Sequence, residues 1–470
     1  MNLRITTLAS ACLLSFHGLA VPANEPATQI SEKTTLVTPV DWTKFKRQPA
    51  TGDAAERFGE ILLNANKYAL TGWWTNKGFN QPLPDGYLNF KGTAEKHIRP
   101  AASEAQGLAI SLRLGLYRSE ATSVPAPEAE KKVIQLIRSL AHRHRANSTN
   151  GWGLVWQSPA WAAYTDMAGW LMWDKLDDIT HRELIQMTES EAAWVMANKG
   201  ENKIKTYRDR AGKIISPGDT GLEENAWDAS LLVAATAMMP HHPQYSRWMN
   251  KTIALWLSAQ ARPSDVTRTN IYHGKPLAEW LPGSNMNEDG TCVNHDRIHP
   301  DYMIAGLCEF SPIGFYGLAR RPLPAAAVFN LELPYRALAD LPFVAGEEKD
   351  GRMVLPPGGT IFKPDSADVY CPQGNDWGTS QRDHFAYADA VIGALAKDTT
   401  LKQRAVVWEQ KHSERVLAMQ ARFTDGHTYG APSELDWHTR EEYVAVSASN
   451  AYLLKWLTAQ TPPVFTNEEF

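Results

Sequence analysis

Two kinds of connection alternate along this chain, and that alternation limits what it can fold into. Apolar residues recur at helical spacing almost throughout, with no sustained period-2 alternation. The pattern predicts twelve helices, at about 53–70, 100–117, 128–145, 159–176, 181–198, 221–238, 243–260, 299–319, 322–341, 380–397, 400–421 and 440–459. The gaps after the even-numbered helices are short, about ten, four, four, two and two residues, whereas those after the odd-numbered ones are about 29, 13, 22, 38, 38 and 18. Successive antiparallel helices send alternate connections to opposite ends, so all the long loops gather at one end. The expected fold is all-α: six helical hairpins closed into a double ring, an (α/α)6 toroid of about twelve antiparallel helices. An open helical solenoid is the competing architecture, but no clear repeat at a fixed period marks the chain.

Start signals support several of these helices. Pro159 follows Ser158, which suits a cap followed by proline in the first turn. Thr180 and Glu183 have capping-box spacing, and Pro300 and Pro322 fit first-turn positions. The 100–117 segment lines Ala105, Leu108, Ala109, Leu112 and Leu116 along one face.

The chain opens with Arg4, an apolar stretch from Leu8 to Leu19 and a small-x-small exit ending at Ala23, which reads as a secretory signal over 1–23. Residues 24–50 read as an irregular leader and 51–470 as one catalytic domain. Cleavage and export, to the periplasm or beyond, is the expectation. Lipid anchoring through Cys12 is the lesser alternative, because Ala9-Ser10-Ala11 lacks the usual leucine. Three cysteines remain, Cys292, Cys308 and Cys371; they form no disulfide framework or zinc-site spacing and leave room for one bridge. A formal charge of −5 gives no sign of a nucleic-acid partner. No later run of eighteen apolar residues suggests a membrane span. A monomer or weak homodimer without a cofactor is expected.

The long-loop end is the expected working face, because functional groups concentrate on loops held by a rigid scaffold. Its loops carry Trp73 and Trp74; Trp152 and Trp156; Glu223, Glu224 and Asn225; Arg268 and Trp280; Asp376, Trp377, Arg382 and His384; and Trp437 and Arg440. Seventeen tryptophans are many for this length, and several sit in glycine- or proline-containing stretches. Aromatic faces suit sugar rings, which points to a carbohydrate cleft. The alternative for any single tryptophan is that it fills the core or plugs a loop against a helix end.

The densest chemistry lies in Asn287-Glu288-Asp289-Gly290-Thr291-Cys292-Val293-Asn294-His295-Asp296-Arg297-Ile298-His299-Pro300-Asp301-Tyr302, at the mouth of the eighth helix. So many polar groups cannot be buried without partners. His295 and Tyr302 suit proton abstraction next to a carboxylate: a neutral imidazole or a phenolate takes the proton, and a phenol protonates the leaving oxygen. An amide such as Asn294 or Asn225 would stabilise charge developing on a uronate carboxylate. Arg297 would bind that carboxylate bidentately. His299 reads as structural. His295, Asp296 and His299 have plausible spacing for a structural ion, but no metal is required.

The run Asp289-Gly290-Thr291-Cys292-Val293-Asn294-His295 resembles the Asp-Gly-Ser-Phe-Ile-Gln-His motif of hyaluronate and chondroitin AC-type lyases, which ends in the catalytic histidine. The resemblance implies His295 in that role and Tyr302 as the acid/base tyrosine, at a spacing of seven rather than nine residues. It also implies Asn225 as the upstream asparagine. Asn294-His295 further resembles the Asn-His motif of alginate-lyase toroids, which would make Asn294 the neutraliser. The likeness covers about fifteen residues plus the helical organisation, and those larger lyases append β-sandwich domains for which this chain has no room. It implies a secreted lyase acting on an acidic polysaccharide or oligosaccharide by β-elimination at C5.

The toroid also resembles inverting and unsaturated-uronyl glycoside hydrolases, which need two carboxyl groups. Asp289 and Glu224 are the expected pair in that reading, with Asp376 in reserve. A non-catalytic glycan-binding protein is the third reading.

Overall fold

The computed structural model describes residues 36–197, 199–200, 203–308, 312–376, 382–430, 433–434 and 437–470. The signal at 1–23, the first part of the leader, and Trp377 lie outside the described residues, as does the side chain of Cys308.

Among the described residues the chain is all-α, with only two-residue strand pairings between helices. The principal helices are α1 (Asp53–Tyr68), α2 (Glu95–Arg113), α3 (Ala126–His142), α4 (Ser158–Leu171), α5 (Asp178–Met196), α6 (Leu222–Met238) and α7 (Tyr245–Ala259). They continue with α8 (Pro300–Cys308), α9 (Pro312–Leu318), α10 (Glu332–Ala339), α11 (Arg382–Leu395), α12 (Thr399–Gln420) and α13 (Arg440–Gln460).

Two sequence patterns sort these helices into two environments. α3 is amphipathic: Ala129, Val133, Leu136, Ile137 and Leu140 are buried at helical spacing, and its charged face is outside. α4 and α6 have no polar face to spare. Every residue of α4 is buried, and Glu224 is the one residue of α6 not fully buried. Their alanines and glycines let neighbouring helices approach from all sides. Gly169, for example, lies so close to Leu184 of α5 that a β-carbon would clash.

Packing follows the same division. α2 packs on α4, α4 on α6, α6 on both α8 and α9, α8 on α11, α11 on α13, and α13 on α2 and α9. The others lie against this set: α1 on α13 and α2, α3 on α2 and α4, α5 on α4 and α6, α7 on α6, α10 on α8, and α12 on α11 and α1. Each of α2, α4, α6, α8, α11 and α13 is entered from a long connection, at 69–94, 143–157, 197–221, 260–299, 340–381 and 421–439.

The structure corrects the expected boundaries. α2 begins five residues before Pro100, which sits buried inside the helix rather than at its start. α5 is capped by Asp177, whose carboxylate accepts from the Thr180 amide at 2.8 Å, so the Thr180–Glu183 box is not the cap. The 299–319 helix is two helices, α8 and α9. The 322–341 helix shrinks to α10, because Pro322 and Pro324 favour extended backbone and Asn330 takes a positive φ of 50°. Pro300 does open α8.

The described part of the leader is packed. The Thr38 amide donates to Met238 O at the end of α6, and Thr38 O accepts from Trp170 Nε1 of α4, so this segment covers the end opposite the long loops. Cys292 is a buried free thiol. No helix among the described residues is long and apolar enough to cross a membrane.

Candidate active site

The candidate site is built on a two-residue hairpin. Strands β1 (Val293–Asn294) and β2 (Arg297–Ile298) pair antiparallel, with Asn294 opposite Arg297. His295 and Asp296 make the turn, at φ of 50° and 60°. Two consecutive positive φ values define the turn type that normally selects Asn-Gly. Here an imidazole and a carboxylate occupy it instead, a strained choice typical of functional positions.

Two neighbouring loops lock the hairpin. The Thr220 amide donates to Val293 O, and the Asp296 amide donates to Gly218 O at 3.0 Å. Gly218 takes a φ of 79°, where a side chain would be strained, and a β-carbon there would push the Asp296 carboxylate aside. On the other side the Ile298 amide donates to Gln373 Oε1 at 2.7 Å. That contact brings the loop carrying Asp376 alongside.

His295 thereby sits between two partners. Its Nδ1 is 2.6 Å from Asp376 Oδ2, and its Nε2 is 3.1 Å from the Tyr302 hydroxyl. The second Asp376 oxygen lies 3.2 Å from His299 Nε2. With the carboxylate at Nδ1, the proton belongs on Nδ1, and Nε2 accepts from the phenol. The hydrogen bonds from His299 and His295 hold the Asp376 carboxyl well below its usual range, so it stays ionised. Tyr302 is pushed the other way, above the usual phenol range, by burial and by the carboxylates of Glu223 and Asp219. It therefore keeps its proton.

Asn294 connects this triad to α6. Its amide donates to Glu223 Oε1 at 2.9 Å and Asp219 Oδ1 at 3.2 Å, while its oxygen accepts from the His295 amide. Both ends of the expected neutralising amide are thus engaged in fixing the turn. Burial, with Glu224 and Asp219 nearby, raises the Glu223 carboxyl well above its ordinary value. The Arg297 guanidinium donates from Nε to the His295 backbone oxygen at 3.1 Å.

The rim continues over the starts of α6, α4 and α2. Trp156, 44% exposed, donates from its indole to Glu224 at 3.2 Å and meets Trp227 edge-on. Lys205 Nζ is 3.7 Å from the same Glu224. Next to Trp156, Gln157 accepts from Arg99, whose guanidinium lies 4.5 Å from the Trp437 ring and 4.7 Å from the Tyr443 ring. His384 packs edge-on against Tyr443.

His295, Tyr302, Asn294, Arg297, Asp376, Glu224, Trp156, Trp437 and His384 thus fall into one linked rim. The other expected residues do not. Asn225 is buried, and its amide exchanges hydrogen bonds with the Lys205 backbone at 2.8 and 3.0 Å. Asp289 accepts from Thr291 and pairs with Lys349, whereas Glu224 belongs to Trp156 and Lys205; the two carboxylates share no partner among the described contacts.

Most of the expected sugar-stacking aromatics are structural. Trp73 is buried and donates to Glu442, Trp74 is buried beside Phe79, and Trp152 is buried and donates to Leu140 O. Trp280 donates to Tyr272 O, and Arg268 pairs with Asp265. Arg382 pairs with Asp368, and Arg440 is buried against the Tyr429 ring. Indoles filling helix ends explain these positions better than a cleft does.

Sequence reasoning passed over Asp219, Arg99, Gln157, Lys205 and Tyr443, and read His299 as structural. An arginine just before Pro100 in an otherwise small-residue helix was the available signal for Arg99. Nothing in the local sequence marks Lys205 or Tyr443. No protein-family model matches the chain, and no curated protein matches it.

Proposed function

We propose that this chain is a carbohydrate-active enzyme that cleaves a uronic-acid-containing glycan by β-elimination. The reading rests on one observation: Tyr302 and the Asp376-bound imidazole of His295 meet at 3.1 Å on an open rim. The packing order of the helices, in which α13 returns to α2, supports a double ring of the (α/α)6 kind as the scaffold. The α-helices entered from long connections would then present their N-terminal ends to the substrate.

The proton bookkeeping closes. His295 Nε2, an acceptor because Nδ1 donates to Asp376, exchanges its contact with the Tyr302 hydroxyl for the C5 proton of the uronate. The C5–H electrons form the C4–C5 double bond as the C4–O bond breaks, and Tyr302 protonates the departing oxygen. Asp376 stabilises the resulting imidazolium, and Arg297 stabilises the charge that builds on the substrate carboxylate. The imidazolium then returns its proton to the phenolate across the same contact. Trp156 offers the exposed apolar face against which a neighbouring sugar stacks. Export directed by residues 1–23, and action as a monomer or weak homodimer, belong to the same proposal.

The experiment is incubation with a panel of acidic and neutral polysaccharides while following the ultraviolet absorbance of an unsaturated uronide. Appearance of that product supports elimination. New reducing ends without it would sink the reading and favour hydrolysis, and binding without turnover would favour a glycan-binding protein.

A further inference from the structure

The Asp376 carboxylate is approached by two imidazole nitrogens, one on each oxygen. One ring nitrogen of His295, one of His299 and an Asp376 oxygen all lie within 4.8 Å of one another, and the nitrogens that face Asp376 are His295 Nδ1 and His299 Nε2. Two histidines and one carboxylate converging on a common point is a recurrent donor set for a divalent transition metal, and zinc takes such ligands at about 2.0–2.2 Å. The remaining ring nitrogens strengthen the argument. His299 Nδ1 faces Asp301 Oδ2 at 3.8 Å, and both groups are buried. His295 Nε2 faces the Tyr302 hydroxyl. His295 thus has a hydrogen-bonding oxygen behind it, the outer-shell arrangement of a ligating histidine, and His299 has a buried carboxylate near its second nitrogen, beyond hydrogen-bond length.

We propose that His295, His299 and Asp376 bind one zinc-class divalent cation, and that the bound cation silences the proton transfer assigned to His295. Both rings bind as neutral imidazoles, so no proton is lost. The proton of His295 moves from Nδ1 to Nε2, and that of His299 from Nε2 to Nδ1, opposite Asp301. Nε2 of His295 then carries an N–H toward Tyr302 and has no lone pair for the C5 proton. His295 and Asp376 are each about one-third exposed on their side chains, which gives the ion a path from solvent, while buried His299 supplies the rigid ligand. The other convergence of carboxylates, Asp219, Glu223 and Glu224, is less suited to a cation, because the Asn294 amide and Lys205 already direct donors into it.

The binding half stands apart from the proposed elimination; the silencing half rests on it. Isothermal titration of the chelator-treated full chain with zinc chloride is expected to give one site per chain. His299→Ala is expected to weaken it at least tenfold, and Asp376→Ala, at a partly exposed position, serves if His299→Ala fails to fold. No binding, or unchanged affinity in the folded variant, overturns the site. Where an unsaturated uronide forms, saturating zinc is expected to suppress its production and chelator to restore it; unchanged turnover overturns the silencing. Absence of any unsaturated product from metal-free protein counts against elimination alone and leaves the titration result standing.

Discussion

The Tyr302 hydroxyl lies 3.1 Å from His295 Nε2, although the two residues come from different kinds of structure: His295 from a strained hairpin turn and Tyr302 from the first turn of α8. The helix fixes the phenol and the turn brings the imidazole to it, so neither group depends on a flexible side chain to find the other. In the proposed elimination, His295→Ala would remove the base and Tyr302→Phe the acid. Each is expected to lower kcat by roughly 10²–10⁴-fold, the range for positioned acid–base groups, with circular dichroism unchanged. Near-wild-type turnover in both would reject the pair.

Asp376→Asn tests the imidazolium partner separately. The amide keeps an acceptor for His295 but loses the charge that stabilises it. A fall in kcat with little change in KM is expected, because the charge matters only once His295 has taken the proton. An unchanged kcat would leave Asp376 a purely structural neighbour.

The aromatic residues make the next contrast. Trp156→Ala removes an exposed ring and is expected to raise KM severalfold without altering the unfolding midpoint. Trp152→Ala removes a buried ring that donates to Leu140 O, and is expected to cost about 3–5 kcal/mol of stability. Equal stability losses in urea titrations would contradict the assignment of one tryptophan to the cleft and the other to the core.

That contrast also shows what the sequence made legible. Helical periodicity and alternating connection lengths located most of the helices to within a few residues, because burial of one face writes itself into spacing. The polar run at 287–302 announced a site by its density of functional groups, although the expectation that it stays out of the interior failed: Asn287, Thr291, Asn294, His299 and Asp301 are all buried. Which tryptophans face outward was not legible, since Trp152 and Trp156 share the same loop and differ only in the depth that tertiary packing gives them. Asp376 was expected as a sugar contact or a reserve carboxylate for hydrolysis, but its bonds to His295 and His299 depend on Gln373 clamping one long loop to another, a contact across 75 residues. Local sequence carries no trace of such a contact. The same holds for Arg99 and Tyr443, which meet across the start of α2 and α13.

The turn at His295–Asp296 carries strain that can be relieved at one position without touching the imidazole. Asp296 sits at φ 60°, where glycine is the natural residue of this turn type. Asp296→Gly is expected to stabilise the fold by about 1 kcal/mol, the order of the penalty a side chain pays in the left-handed region. A higher urea midpoint with His295 still reactive would confirm it; a lower midpoint would show that the Asp296 carboxylate against Gly218 contributes more than its backbone costs.

A second reservoir of instability lies inside α2. Glu104 is fully buried, one of its oxygens has no hydrogen-bond partner, and burial raises its carboxyl well above the ordinary value, with Glu442 and Glu441 adding to the rise and Lys77 opposing it. Tyr68 faces the same carboxylates. Because the folded state holds this proton more tightly than the unfolded chain, Glu104 contributes most below the unfolded value of about 4.3, and its contribution falls as pH rises toward the folded value. The slope available to one such group is about 1.4 kcal/mol per pH unit. Glu104→Gln cannot ionise, so the variant is expected to match the wild type near pH 4 and to exceed it in urea midpoint near pH 8. Identical pH dependence in the two proteins would show that Glu104 is ionised in the fold and that Lys77 outweighs its burial.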